Sequence, residues 1–158
     1  MSLNRYSRIA ATVCASLVWL GSAFAQIQIV LPAASFKTGE RISAKVVNRG
    51  KIAVSYCVEF GQRSSHNGTT EATPIPFHVE TRRHQKWGVL MNGPDIGSSR
   101  HGVGLEPGQY QEFPFRLGET GDMRLALHYR QGERDDVCSG PDKGTRTARS
   151  QVFSVSKD

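Results

Sequence analysis

The sequence has few cysteines, and this scarcity limits the metal and redox sites that it can contain. There are three cysteines in 158 residues and no Cys-x-x-Cys pair. Cys14 falls in an apolar run near the start, which leaves Cys57 and Cys138, about 80 residues apart. Two distant thiols lack the ligand spacing of a zinc site, and neither has a nearby thiol to resolve a catalytic disulfide. The sequence therefore predicts no cysteine-based metal site and no thiol chemistry.

Long apolar runs and helical periodicity are also missing beyond residue 25. No later run is long enough to span a bilayer, and no segment combines a 3.6-residue period with capping residues. The basic residues are scattered despite a pI near 9.5, and no motif that reads RNA or DNA accompanies them. We therefore expect no stable membrane insertion after the leader is removed, and no nucleic-acid partner.

The first 25 residues have the pattern of a signal peptide. Arg5 and Arg8 precede an apolar run, which is followed by a small-x-small site at Ala23 and Ala25. The pattern predicts export by a Sec-type signal to the periplasm or the cell exterior, with cleavage before Gln26. Removal of the two arginines lowers the formal net charge from +6 to +4 and leaves 133 residues. That length suits a single domain over 26–158.

Export changes how the two remaining cysteines are interpreted. In an oxidising compartment an even pair predicts a disulfide, here between Cys57 and Cys138. Such a bridge would stabilise a small domain by restricting its unfolded chain.

Strict alternation of apolar and polar residues dominates the mature chain. The clearest example is the row Met123, Leu125, Leu127 and Tyr129. Polar stretches rich in glycine and serine predict long loops over 61–76, 92–104 and 131–147. Strands are predicted over 26–31, 42–47, 54–60, 77–80, 86–91, 110–117, 123–130 and 151–155. Pro114 indicates that its strand lies at an edge or that the proline faces outward. Seven or eight short strands without helices favour an all-β sandwich or barrel.

Three segments together resemble bacterial exported immunoglobulin-like domains. They are the Gly-Glu-x-Ile-x-x-x-Val-x-Asn pattern ending at Asn48, a Pro107-Gly108 turn before a strand, and a Gly-x-x-Arg-Leu-x-Leu-x-Tyr pattern ending at Tyr129. The resemblance implies an immunoglobulin-like antiparallel β-sandwich. It departs from antibody domains because Trp87 lies thirty residues after Cys57, and because Cys138 falls in a polar loop beyond the strand that ends at Tyr129. We therefore expect a disulfide that ties a loop to a strand.

The sequence gives little support to catalysis or to a metal. It has no Gly-x-Ser-x-Gly and no His-Glu-x-x-His motif. Ser98 and His101 are near each other only in sequence. His78 and His84 could approach each other across a hairpin, and Asp135-Asp136 could bind calcium, although surface positions are the simpler interpretation of both pairs. We expect no enzyme activity, no metal and no cofactor.

Trp87 is the strongest candidate for contact with a ligand. One interpretation places it in the core with Val89 and Met91, and the other makes it an exposed platform for a sugar ring or a peptide. Arg82, Arg83 and Lys86 lie beside it and would favour an anionic ligand.

These features favour a non-catalytic binding or interaction module whose partner is an unidentified protein or glycan in the envelope or outside the cell. Inhibition of a secreted protease is an alternative, since a bacterial inhibitor family uses an immunoglobulin-like fold. A small hydrolase is a weaker one.

Overall fold

The computed structural model describes residues 26–66, 69–91, 100–132, 137–139 and 143–157. The predicted signal peptide lies outside the described residues, and so do Ser98 and the acidic pair Asp135-Asp136. The described strands are β1 (Ile27–Val30), β2 (Ser35–Lys37), β3 (Arg41–Asn48), β4 (Val54–His66), β5 (Thr69–Ile75), β6 (His78–Arg83), β7 (Lys86–Met91), β8 (Arg100–Leu105), β9 (Tyr110–Arg116), β10 (Gly121–Gln131), β11 (Arg146–Arg149) and β12 (Phe153–Ser156). One short 3-10 helix covers Val137–Ser139.

The strands form two sheets that enclose the core, which confirms the predicted immunoglobulin-like β-sandwich. The smaller sheet has the order β1-β3-β9, and the larger has nine strands around β10. Pairing is antiparallel throughout the described ladders except between β2 and β12, which run parallel. Aromatic contacts join the sheets, with ring centroids of Tyr56 and Phe113 6.2 Å apart and those of Phe77 and Phe113 5.7 Å apart.

Alternation along β10 explains why it lies at the centre of the larger sheet. Met123, Leu125 and Leu127 are fully buried and face the smaller sheet. β10 pairs with β6 and β4 on one edge and with β12 and β11 on the other. Ser150 fills the interruption between β11 and β12, because its Oγ accepts the Leu125 N–H at 2.9 Å. One amphipathic strand thus forms ladders with four other strands of the larger sheet.

Asn48 is a fully buried polar residue at the end of β3. Its Nδ2 donates to the carbonyls of Ile52 at 2.9 Å and Leu105 at 2.8 Å, while its Oδ1 accepts the Gly50 N–H at 2.9 Å. Its backbone bonds to Gln109 and Gly108 in the Pro107-Gly108 turn. The asparagine that ends the first resemblance motif therefore holds three chain segments together.

Three predicted loops contain strands. β4 continues to His66 and pairs with β5, so the loop predicted over 61–76 was wrong. The backbone ladder supplies the hydrogen bonds of this hairpin, and a bulge between Phe60 and Gln62 accommodates Gly61. β8 occupies the end of the loop predicted over 92–104, and β11 begins within the one predicted over 131–147. The strand count consequently exceeds the predicted seven or eight.

The disulfide between Cys57 and Cys138 is present, as the sequence predicts. Cys57 lies on β4 between the buried residues Tyr56 and Val58, and its own side chain lies on the opposite face. Cys138 belongs to the short helix. The bridge therefore ties a connecting segment to the outer face of the sheet and does not cross the core.

The predicted edge position of the proline-containing strand is also confirmed, because β9 is the last strand of the smaller sheet.

Candidate functional site

The β6–β7 hairpin carries all four residues that the sequence singles out for ligand contact, and its register divides them into two pairs. Arg82 pairs with Trp87, and Arg83 pairs with Lys86. Directly paired residues of antiparallel strands share a face, and successive pairs alternate. Trp87 and Arg82 therefore lie on one face of the hairpin, and Arg83 and Lys86 on the other.

Buried residues on β6 show which face is outward. Val79 and Thr81 are buried, whereas Glu80 and Arg82 belong to the other row. Trp87 is paired to that outer row, is half-buried and does not belong to the core cluster. Its neighbour in the row, Val89, is 54% exposed. The interpretation of Trp87 as a core residue was therefore wrong.

A chain of charged contacts holds the Trp87 ring in place. The Arg124 guanidinium lies over the ring, with its carbon 4.1 Å from the ring centroid. Arg124 also donates from Nε to Glu80, and Arg149 contacts the same carboxylate at 3.2 and 3.3 Å. The Arg124 guanidinium therefore makes a cation–π contact with the Trp87 ring. Arg149 is a second cation, bound to the same Glu80 carboxylate.

Electrostatics keep the carboxylate of this cluster ionised. Burial by itself would raise the pKa of Glu80, but hydrogen bonds and charges from Arg149 and Arg124 outweigh it and lower that pKa. One carboxylate faces two guanidinium groups here, so the cluster carries a net positive charge. We name the surface of Glu80, Arg82, Trp87, Arg124 and Arg149 the tryptophan face.

The other pair borders a shallow groove of about 360 Å³ on the hairpin. Arg83 and Lys86 line it together with Thr81 and Leu90, and Trp87 and Val89 line it as well. Both cationic side chains are exposed. Gly88 also lines it, and a Cβ added there would meet no atom within 4 Å. The groove is therefore open, with cations concentrated at its hairpin end.

The turn that joins the two strands is strained. His84 and Gln85 have φ values of 47° and 65°. A two-residue hairpin turn requires left-handed backbone at both positions, and Asn-Gly is the sequence that satisfies it most readily. The hairpin keeps its tight turn although neither residue favours that conformation.

His78 and His84 do not approach each other across the hairpin, because His78 begins β6 and His84 lies in the turn that follows it. His78 instead faces His128 on β10, with ring centroids 4.9 Å apart. The Nδ1 atom of His128 lies 2.9 Å from the Thr147 hydroxyl. Burial is the main cause that lowers the pKa of both rings, and the charges of His78 and Arg149 lower that of His128 further.

Within the described ranges, no three His, Cys, Asp or Glu side chains are grouped so that they could hold a metal ion. His101 is exposed on β8. No helix among the described residues has both the length and the apolarity needed to cross a membrane.

The chain matches no protein-family model and no curated protein sequence. Among solved structures it is similar to AvmM, which catalyses macrocyclization in alchivemycin A biosynthesis, with 13% identity, coverage of 84% of this chain and 90% of that one, and a TM-score of 0.34.

It is also similar to the sporulation control protein Spo0M from Bacillus subtilis, with 15% identity over 82% of this chain and 48% of that one, and a TM-score of 0.35. PapD-like domain 7 of human CEP192 shares 11% identity over 100% of this chain and 96% of that one, with a TM-score of 0.31. At such low identities and TM-scores these similarities carry no argument about activity or site.

Proposed function

We propose that this chain is an exported, non-catalytic binding module that contacts a protein or glycan partner through the β6–β7 hairpin. The observation that carries the proposal is the partly exposed Trp87 ring held under the Arg124 guanidinium on the tryptophan face. Tryptophan and arginine are the residues that most often dominate binding energy at interfaces.

The fixed position of the ring favours binding. Trp87 stands on a strand, and Arg124 is itself held by Glu80. A side chain that is already ordered loses less conformational entropy when a partner docks. The face therefore resembles a preformed contact surface more than a flexible loop.

Export completes the proposal and rests on two features. The leader pattern at residues 1–25 is typical of a signal peptide, and the Cys57–Cys138 disulfide suits an oxidising compartment. Intact mass spectrometry of protein recovered from the periplasm or medium should give a chain that begins at Gln26. A full-length chain confined to the cytoplasm would contradict this part.

The binding part is tested by affinity capture from an envelope extract with quantitative mass spectrometry. Trp87→Ala and Arg82→Ala should each reduce the captured partner by about tenfold or more, the cost typical of interface anchors. The chain offers a matched control in Tyr110, which is 59% exposed on the smaller sheet with Lys45 Nζ 4.2 Å from its ring centroid. Tyr110→Ala should leave capture unchanged.

Each variant must unfold at a temperature close to that of the wild type, so that lost capture reports a lost contact. A partner held equally well by Trp87→Ala and by the wild type would overturn the assignment of this surface. Equal losses in Trp87→Ala and Tyr110→Ala would show that aromatic exposure, and not the hairpin, governs capture.

A further inference from the structure

β7 lies at the end of its branch of the larger sheet. Among the strands that the structure describes, it pairs with β6 alone. Its other edge carries backbone groups that a neighbouring strand could satisfy.

The register shows which backbone groups face that edge. The Arg83–Lys86 pair flanks the two-residue turn and so exchanges hydrogen bonds, and hydrogen-bonded pairs then alternate along the hairpin. Lys86 and Gly88 therefore direct their N–H and C=O groups toward β6. Trp87 and Val89 direct theirs toward the open edge.

This edge has few of the features with which proteins block strand addition. Its sequence, Lys-Trp-Gly-Val-Leu-Met, has no proline and a single charge at the start. Val89 is 54% exposed, and the space above Gly88 is open. An edge of six residues with one charge is either a site of unwanted aggregation or a place where another strand binds.

The two faces of the hairpin differ in chemistry beside the edge. Trp87 and Val89 form an apolar row on one face of the hairpin, whereas Arg83 and Lys86 present positive charge on the other. All four residues line the groove. Because side chains of an added strand alternate in direction, one set would contact the apolar row and the other the cations.

We propose that the partner binds by adding an extended segment to the open edge of β7, with acidic side chains toward Arg83 and Lys86 and apolar side chains beside Trp87 and Val89. Charge complementarity selects this occupant. A second copy of β7 would bring more Lys86 and Arg83 cations to the same edge, which disfavours self-pairing. The inference rests on the proposed function and specifies its mode of binding.

The probe is a blocked Glu-Val-Glu-Val-Glu-Val peptide. Trp87 is the only tryptophan after residue 25, so its emission reports binding to the mature chain directly. We expect a saturable emission change that weakens as salt is raised. The corresponding Lys-Val peptide, and a Glu-Val peptide with alternate backbone amides methylated, should bind at least about tenfold more weakly.

Two substitutions at Val89 separate the backbone from the side chain. Val89→Pro removes an N–H that faces the open edge and should weaken Glu-Val binding by about tenfold, while the ladder to β6 remains intact. Val89→Ala keeps that N–H and should weaken binding by no more than about threefold. Equal binding by the proline variant, or by the methylated peptide, would overturn the inference.

A charge exchange provides a test that does not depend on proline. Lys86→Glu should weaken binding of the Glu-Val peptide and strengthen that of the Lys-Val peptide. Unchanged preference, or a concentration-dependent dimer lost in Val89→Pro, would overturn the acidic-segment proposal. If envelope capture depends on Trp87 but not on Val89→Pro, the proposed function stands and strand addition fails.

Discussion

Replacing Asn48 by alanine removes the amide that joins three segments of the sandwich. The substitution eliminates hydrogen bonds to Ile52, Gly50 and Leu105 at once. Water can reach Ile52 and Gly50, which lie in the turn after β3 and are not buried. The Leu105 carbonyl bond is buried, so that acceptor would lose its partner without replacement.

The magnitude follows from these environments. Each of the two partly exposed bonds is worth about 1 kcal/mol net, and a buried acceptor left unsatisfied costs about 1–3 kcal/mol. Together with the small cavity, the loss of unfolding free energy should be about 3–5 kcal/mol. For a domain of this length that corresponds to a melting temperature lower by about 10–18 °C.

Urea and thermal unfolding of the oxidised chain from Gln26 onward, followed by circular dichroism, measure this loss. Gln28→Ala is the control, because the Gln28 side chain is exposed and its Oε1 accepts from Arg49 Nε at 3.2 Å. It should change stability by less than about 0.5 kcal/mol. A loss below about 1 kcal/mol in Asn48→Ala would refute the account of Asn48 as a junction.

Three further predictions concern stability. Replacing both disulfide cysteines by alanine should lower the free energy of unfolding by about 4.5 kcal/mol for a bridge between residues 81 apart; denaturant melts with an unchanged midpoint would contradict this. The double change His84→Asn and Gln85→Gly should stabilise the hairpin by about 1–2 kcal/mol, because both positions have positive φ and Asn-Gly adopts that backbone most readily. A lower melting temperature in the double variant would contradict the inference that the turn is strained. Burial, with added repulsion at His128, lowers the pKa of His78 and His128, so the unfolded chain binds more protons than the fold just below the usual value of 6.5. Stability should therefore be full above about pH 6.5 and fall as the pH drops from there to the lowered values. His128→Gln removes one of the two rings and should reduce the slope of melting temperature against pH between 7.5 and 5; an unchanged slope would contradict this.

The alternation of apolar and polar residues predicted the strands in which one face is apolar and the other polar. The row Met123, Leu125 and Leu127 defines β10 because every second residue is apolar, and 86–91 was predicted with the bounds observed. β11 was missed because Ala148 is the one buried residue in it. A polar strand stabilised mainly by its backbone ladder leaves no periodic signal.

The β4–β5 hairpin was missed for a related reason. Its segments are rich in Gly, Ser and Thr, which also favour loops. The Asn67-Gly68 dipeptide between them is the strongest short signal for a hairpin and would have predicted it.

The site was predicted only in part, because a period of two does not say which face is inward. Trp87 and Val89 share a row in either interpretation. The pairing of that row with Glu80 and Arg82 makes it the outer one, and no local pattern carries this information. The contacts of Trp87 with Arg124 and of His78 with His128 join distant parts of the chain and required the sheet order.

Amide hydrogen exchange of the chain from Gln26 onward, with and without the Glu-Val peptide, tests whether a partner segment binds at the open edge of β7. Binding at the open edge of β7 should slow exchange at the Trp87 and Val89 amides, while those of Lys86 and Gly88, already bonded to β6, should change little. Protection confined to other strands, or no protection at a saturating peptide concentration, would contradict the assignment of the β6–β7 hairpin as the binding surface.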